Sequence, residues 1–391
     1  MSLCQLPLSY CTNVHPGRTL QEVQAGVDRY TLPIRQGFGQ PLAAGLWLAR
    51  SVIDELQDQS SVTRIAQFLA DRDIPCYTLN AFPYGDFHSD RVKEQVYLPD
   101  WTTPERERYT LDCARLLATL LPDNADGSIS TVPLGFKTLA KDPAFLTRCC
   151  ERLISTAVAL ARLRESTGRC IRLAIEPEPL CVLETTQETL SFFELLRQQS
   201  GGAETLAAVQ EHLGVCYDVC HQSVEFEDVA ASIRTLHAAE IRINKLHISC
   251  AIEARNVLTD VHVREALARY GEPRYLHQTF ARRRDGSVVS WLDLDEQLLR
   301  TPPAEFADTD VWRVHFHVPV DARALGPLGT TRPDLERALA VVPELPYAPH
   351  LEVETYTWEV LPDGGKPQMI EGFARELAAT RQLLDRIAAQ G

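Results

Sequence analysis

The chain has 391 residues, 45% hydrophobic and 24% charged, an ordinary globular composition with length for one large core or two modest ones. A formal net charge of −14 repels a phosphate backbone and argues against nucleic-acid and anionic-membrane partners. No stretch approaches the ~20 apolar residues that span a bilayer, and Met1 to Tyr10 carries no cationic segment ahead of an apolar core, so a cytoplasmic protein without membrane insertion is expected.

Eleven cysteines form no Cys-x-x-Cys pair, and most sit in apolar runs, as Cys113, Cys149, Cys170 and Cys216 do. They read as reduced, small buried hydrophobes.

In chain order, short apolar runs alternate with segments of helical period, the βαβα signature of a parallel sheet or barrel. A first strand near Leu8 to Asn13 leads through His15-Pro16-Gly17 into a helix marked by Leu20, Val23 and Val27. Leu42 to Ala49 is the second strand, with helical sequence over Val52 to Leu69, and Cys76 to Phe82 is the third. The connection from Asn80 to Trp101 is about twice the usual βα length and rich in aromatic residues, so it is expected to cover a site.

Thr103 as N-cap with Pro104 in the first turn opens a helix to Leu121, and Ser128 to Leu134 is the fourth strand. Asp142 and Pro143 repeat the start signal for a helix that stops at Gly168. The fifth strand, Arg172-Leu-Ala-Ile-Glu-Pro-Glu-Pro179, breaks into a carboxylate fenced by two prolines that cannot donate to a ladder. After helical sequence from Gln187 to Gln210, interrupted at Gly201-Gly202, the sixth strand, Gly214 to His221, carries Asp218 and His221 at its carboxyl end.

A helix over Asp228 to Ala239 precedes the seventh strand, Ile243 to Cys250, where Lys245, His247 and Ser249 share one face. Beyond a helix from Val261 to Tyr270 the pattern loosens into a hairpin, Tyr275 to Trp291, turning at Asp285-Gly286, in which Arg282 to Arg284 read as a solvated turn. Val311 to Val320 reads as a strand with His315 and His317 on one face. A helix from Pro333 to Val341, a strand from Leu351 to Trp358 that aligns Glu352, Glu354 and Tyr356, and a last helix, Phe373 to Ile387, follow.

Nine strand candidates exceed the eight of a closed (β/α)8 TIM barrel, so one lies outside it, and an insertion around 271–320 is the expected place. No linker composition divides the chain, which reads as a single barrel domain over 1–391. A dinucleotide or phosphate-binding glycine motif is missing, whereas candidate ligands recur at successive strand ends, where barrels build their sites.

The polar set at those ends is Glu176, Asp218 with His221, His247, His315 with His317, and Glu354. Carboxylates with one or two imidazoles suit a divalent metal ion such as Mn, Co, Mg or Zn with a position open to substrate. A lone inward histidine is more often a hydrogen-bonded core residue, but an ionised Asp218 inside a strand needs a cation or several donors.

The order Glu176-Pro177, Asp218-x-x-His221, His247 and Glu354 resembles the xylose isomerase-like barrels, which include sugar isomerases, ketose epimerases and endonuclease IV-type repair enzymes. More closely, Leu8-Ser-Tyr-Cys-Thr-Asn-Val-His-Pro-Gly17, Asn80-Ala-Phe-Pro-Tyr-Gly85, Val92 to Pro104 and Leu351-Glu-Val-Glu-Thr-Tyr-Thr-Trp358 look like the EboE metabolite traffic family of bacterial ebo clusters. That resemblance covers nearly the whole chain. It implies the barrel, a divalent metal, a small-molecule metabolite and other ebo-cluster proteins as partners.

It puts Glu176, Asp218 and Glu354 on carboxylate-ligand positions, His247 on the histidine ligand and His221 on a substrate-contacting position. His317, His315 or His277 could replace His247. Glu176 and Glu354 could each be ligand or base, with His221 as a further catalytic group. Substrate contacts are expected from His15, Asn80, Phe82, Tyr84, His88, Trp101, Lys245, His277 and His315. Where sugar isomerases carry a lysine two residues after the first glutamate, this chain has Glu178.

Metal-assisted isomerisation or epimerisation of a small polyhydroxylated or carbonyl compound is the leading function. A non-catalytic binding protein that hands a metabolite on is the alternative, and an endonuclease IV-like hydrolase is disfavoured by the acidic charge.

Overall fold

A computed structural model describes residues 6–362 and 365–390. Eight parallel strands close a barrel in the order β1, β14, β7, β6, β5, β4, β3, β2. They are β1 (Leu8–Cys11), β2 (Leu42–Trp47), β3 (Thr78–Asn80), β4 (Gly127–Thr131), β5 (Ile171–Ile175), β6 (Leu213–Asp218), β7 (Ile243–Ile248) and β14 (His350–Val353). Helices surround them, as the βα alternation requires. Thr103 accepts from the Arg106 N–H to start the helix Pro104–Leu120 and Gly168 ends Phe145–Thr167 at φ +71°, as expected, but the latter helix starts after Ala144 without a side-chain cap, so Asp142 and Pro143 lie in the turn before it. Among the described residues, no helix is long and apolar enough to cross a membrane.

Barrel strands end earlier than the apolar runs do. β5 stops at Ile175, although the Glu176 N–H still reaches the Thr131 carbonyl at 3.1 Å, because Pro177 cannot extend the ladder. β6 stops at Asp218, whose carboxylate caps the helix Val219–Val224. Each candidate ligand therefore sits at or just past a carboxyl end.

The surplus strand is Val311 to Val320. Its ordered part, β11 (Thr309–Val314), pairs antiparallel with β8 (Ile252–Arg255) and β9 (Thr279–Arg283), outside the barrel. His315 and His317 follow β11 in irregular backbone. With β10 (Val288–Trp291), β12 (Ala324–Leu325) and β13 (Leu328–Thr330), these strands make a second sheet in the order β10, β9, β11, β8, β13, β12. The insertion thus spans 252–330 rather than 271–320, and it includes the helix Val261–Ala268 that the sequence assigns to the barrel. Glu253 and Arg255 alternate with Ile252 and Ala254, a short half-buried strand that follows β7 too closely to register as new.

One apolar cluster runs from barrel residues such as Val215 and Leu246 into Trp312, Phe316 and Leu294 of the insertion. Calorimetry is therefore expected to show a single unfolding transition, and two separated transitions would make 252–330 an independent unit. The described cysteines are free and buried.

The barrel interior is polar. Glu352 accepts from Ser9 Oγ (2.7 Å) and Asn80 Nδ2 (2.8 Å) and pairs with Lys245 Nζ at 2.8 Å, both charged side chains being 0% exposed. Lys245 also donates to Asn80 Oδ1 at 2.7 Å, as does Ser130 at 2.8 Å. A Cβ on Gly45 would stand 1.5 Å from Glu352 Oε2, so glycine in β2 makes the room for this carboxylate.

Deeper in the barrel, His350 Nδ1 lies 2.8 Å from Ser128 Oγ, which meets Thr78 Oγ1 at 2.8 Å. Burial, with Lys245 adding to it, pushes the His350 imidazole down to about 3. The unfolded chain binds that proton from about pH 6.5 downward, so the contribution to stability is intact above 6.5 and is lost as pH falls toward 3. Between pH 7 and pH 5 a His350→Gln variant is expected to lose about 2 kcal/mol less stability than the parent in denaturant titrations. Equal losses would show that His350 is not held neutral.

Candidate functional site

Four side chains from four strand ends converge. His247 Nδ1 lies 2.8 Å from Glu354 Oε2, 3.0 Å from Glu176 Oε1 and 3.4 Å from Asp218 Oδ2. Donor atoms of all four lie within 4.8 Å of one another, and all four residues are buried. Each is held by its own local structure. Asp218 Oδ1 accepts from the His221 N–H (3.0 Å) and Ser249 Oγ (2.7 Å), which leaves Oδ2 buried with no hydrogen bond. Glu354 Oε1 accepts from Asn13 Nδ2 at 3.0 Å. Glu352 Oε1 approaches the far nitrogen of His247, Nε2, at 3.4 Å, a placement that leaves Nδ1 facing the carboxylates.

Electrostatics calls for a cation here. Burial alone would push the His247 imidazole down, but the Glu354 and Glu176 carboxylates around it hold it well above its ordinary value. Burial would likewise raise Asp218, yet His221, His317 and His247 hold it well below the usual carboxylate range. Three carboxylates gathered on one imidazole nitrogen are suited to a divalent ion, with oxygen and nitrogen donors of the kind that Mn, Co, Mg or Zn accept. Cys216 lies within reach, but burial pushes its thiol up to about 12, which keeps it a neutral neighbour.

A second histidine group adjoins the first. His221, His315 and His317 have ring centroids 4.6 to 5.5 Å apart. Their Nδ1 atoms face carbonyl oxygens: Pro177 O for His221 (3.0 Å), Gln278 Oε1 for His315 (2.8 Å) and Glu354 O for His317 (3.0 Å). His315 and His317 keep Nε2 buried without a partner. His317 groups with Asp218 and His221, and His315 with Glu178 and His221, so neither displaces His247 from the carboxylate cluster.

A cavity opens above these groups, lined by Glu176, Glu178, His221, His315 and Glu354 at its polar end. Asn80 and Phe82 line it as well. The Asn80 to Trp101 connection covers it and is fastened to the insertion: the Val92 and Lys93 N–H groups donate to Arg274 O, and Lys93 Nζ donates to Glu272 O, Tyr275 O and Asp293 Oδ2.

Six expected substrate contacts fall elsewhere. Lys245 lies below the site in its pair with Glu352, and Trp101 is core, donating to Thr131 Oγ1. His15 stacks on Tyr30 beside a separate small hollow. Tyr84 packs edge-on to Tyr109, and His88 meets the Asn13 carbonyl from the outer side. His277 sits behind His315, between its carbonyl and Glu272. Lys245, Trp101 and His277 have their polar groups taken by neighbours, and one nitrogen each of His15 and His88 is taken likewise, something spacing along the chain cannot report. Conversely, Asn13, Tyr97, Tyr275, Leu276 and Tyr356 line the cavity without having been singled out as contacts. Asn13 had a signal as a polar residue at the end of the first apolar run, Tyr97 as part of the aromatic connection and Tyr356 by its alignment with Glu354, whereas Tyr275 and Leu276 had none.

No protein-family model matches the sequence, and no curated protein matches it either. Solved structures do match in fold. A xylose isomerase-like TIM barrel protein from Mycobacterium smegmatis, in complex with magnesium, superposes with a TM-score of 0.55 at 12% identity over 99% of each chain. A D-tagatose 3-epimerase-like protein does so with a TM-score of 0.50 at 9% identity, over 98% of this chain and 99% of that one. The chain therefore has the xylose isomerase-like barrel fold.

Proposed function

We propose that this chain is a divalent-metal-dependent protein that carries out isomerase or epimerase-type chemistry on a small hydroxylated carbonyl metabolite. The observation that carries this reading is the set of three carboxylates around His247 Nδ1 at the floor of a covered cavity. Glu176, Asp218, His247 and Glu354 would hold the ion, which polarises adjacent substrate oxygens when bound. Magnesium in the Mycobacterium smegmatis protein of the same fold supports a hard or borderline ion.

Proton movement falls to the chain's own groups. Glu178 reaches the cavity wall from the stiff segment between Pro177 and Pro179, and burial raises its carboxyl to about 7, suited to proton transfer at neutral pH. His221 stands beside it, oriented by Pro177 O. The EboE resemblance adds a setting: a cytoplasmic protein that handles a secondary-metabolite precursor together with other ebo-cluster proteins.

Incubating metal-loaded protein with an α-hydroxyketone in deuterated water tests the chemistry. Deuterium entering the carbon next to the carbonyl, and lost in Glu178→Gln, is expected. Binding with neither deuterium exchange nor isomerised product is the result expected of the alternative, a non-catalytic metabolite carrier using the same pocket.

A further inference from the structure

The cavity has two chemically different halves. Its upper wall is apolar, built from Phe82, Phe87 and Val96 of the covering connection, Leu276 of the insertion and the ring faces of Tyr275 and Tyr356. The hydroxyls of Tyr97 and Tyr275 in this wall are already engaged, which leaves that of Tyr356 as its one phenol without a hydrogen bond among the described residues. Tyr97 Oη donates to Glu178 Oε1 at 2.6 Å and accepts from Gln278 Nε2 at 3.1 Å, and Tyr275 Oη donates to Phe87 O at 3.3 Å. Lys93 lines the cavity, but three oxygens of the insertion take its ammonium. A sugar chain lying along this wall would leave its hydroxyls unpaired, at a cost for each buried one.

The polar end is selective in another way. Three of its buried atoms have no partner: Asn13 Oδ1, Glu178 Oε2 and His315 Nε2. Asn13 Nδ2 is committed to Glu354, and His315 Nδ1 faces Gln278 Oε1, whose amide is oriented by its bonds to Tyr97 and Pro179. The free atoms of Asn13 and His315 are therefore acceptors, as is Glu178 Oε2 when ionised, and they ask for ligand hydroxyls. Even with a divalent ion bound and His221 protonated, the three carboxylates and Glu178 leave this end without surplus positive charge, and no unengaged lysine or arginine lines the cavity among the described residues. A phosphate or carboxylate would go uncompensated.

We propose that the cavity takes an uncharged amphipathic compound, with an aromatic or branched apolar part against Phe82, Phe87, Val96 and Leu276 and a hydroxyl-bearing head turned toward Asn13, Glu178 and His315. The proposal deepens the function above and rests on it for the metal beside the head. It replaces a plain polyol or sugar phosphate as the substrate class.

Equilibrium binding to full-length protein tests it, with metal content assayed first. The probes are phenylacetylcarbinol, an uncharged aryl hydroxyketone, D-fructose and fructose phosphate. The aryl probe is expected to bind at least about tenfold tighter than fructose, the gain of burying one ring, with no gain from the phosphate. Phe82→Ser, or Leu276→Asn should the first variant misfold, is expected to weaken the aryl probe about tenfold and leave fructose and the metal unchanged. Fructose binding as tightly as the aryl probe, equal weakening of both by the variants, or no aryl binding by metal-loaded protein would each overturn the substrate class. Protein that carries no metal would overturn the proposed function instead, while aryl binding that still depends on Phe82 would uphold the apolar seat.

Discussion

Asp218→Asn is expected to lower affinity for a divalent ion by more than about 100-fold, exceeding the 10–100-fold typical of losing a partner one shell further out. The fold should survive. The amide oxygen can still accept from the His221 N–H and Ser249 Oγ, the two bonds that tie Oδ1 to the start of the helix Val219–Val224. What changes is the other atom: Oδ2, buried without a hydrogen bond 3.4 Å from His247 Nδ1, becomes an amide nitrogen with no lone pair to offer. Metal content and melting temperature, measured on the same sample, separate the outcomes. Metal retained with a large fall in melting temperature would make Asp218 structural.

Lys245→Met is expected to destabilise the protein by about 3–5 kcal/mol, the effect of stranding one member of a buried pair. Glu352 would keep Ser9 and Asn80 as donors but lose the cation that offsets its burial. Burial alone would raise this carboxyl, while Lys245 and His247 hold it well below the usual range. Adding Glu352→Gln should restore most of the lost stability, since no unpaired charge then remains, and unfolding titrations of the single and double variants measure this. Because Glu352 also faces His247 Nε2, the single variant should bind metal less tightly. A single variant as stable as the parent would mean that Lys245 is not charged in the folded chain.

Much of the barrel was legible because its signals are local. β5 and β6 are apolar runs closed by a residue the ladder cannot absorb, a proline-fenced glutamate in one and a helix-capping aspartate in the other. Polar alternation at Lys245 and His247 marked an interior face, and the structure fills that interior with a hydrogen-bonded network. The insertion was harder to read. β8 is short and half-buried, and it pairs antiparallel with β11 and β13 far along the chain, so neither period nor length announces it, whereas the hairpin of β9 and β10 was marked by the turn at Asp285-Gly286.

The site divides along the same line. Positions of Glu176, Asp218, His247 and Glu354 follow from strand ends, and parallel register sets His247 opposite both Asp218 and Glu352, with Glu354 just past the end of the Glu352 strand. His315 and His317 have the spacing of strand neighbours, yet the strand ends at Val314, and only the folded insertion places them beside His221. Of the cavity wall, the cover from the aromatic Asn80 to Trp101 connection was legible and the share from the insertion was not. Tyr275 and Leu276 reach it from a segment without period, and Lys93, Trp101 and His277 turn out to be fully engaged elsewhere.

Titration of chelator-stripped protein with manganese at neutral pH, reading bound ion and released protons together, bears most directly on the convergent cluster. His247 is held well above its ordinary value by the surrounding carboxylates, so the metal-free site carries a proton that an incoming ion must displace. The expected result is a single saturable ion per chain, proton release on binding, and affinity that falls as pH falls. Folded protein that takes up no ion and releases no protons would contradict the account and leave the cavity a metal-free pocket.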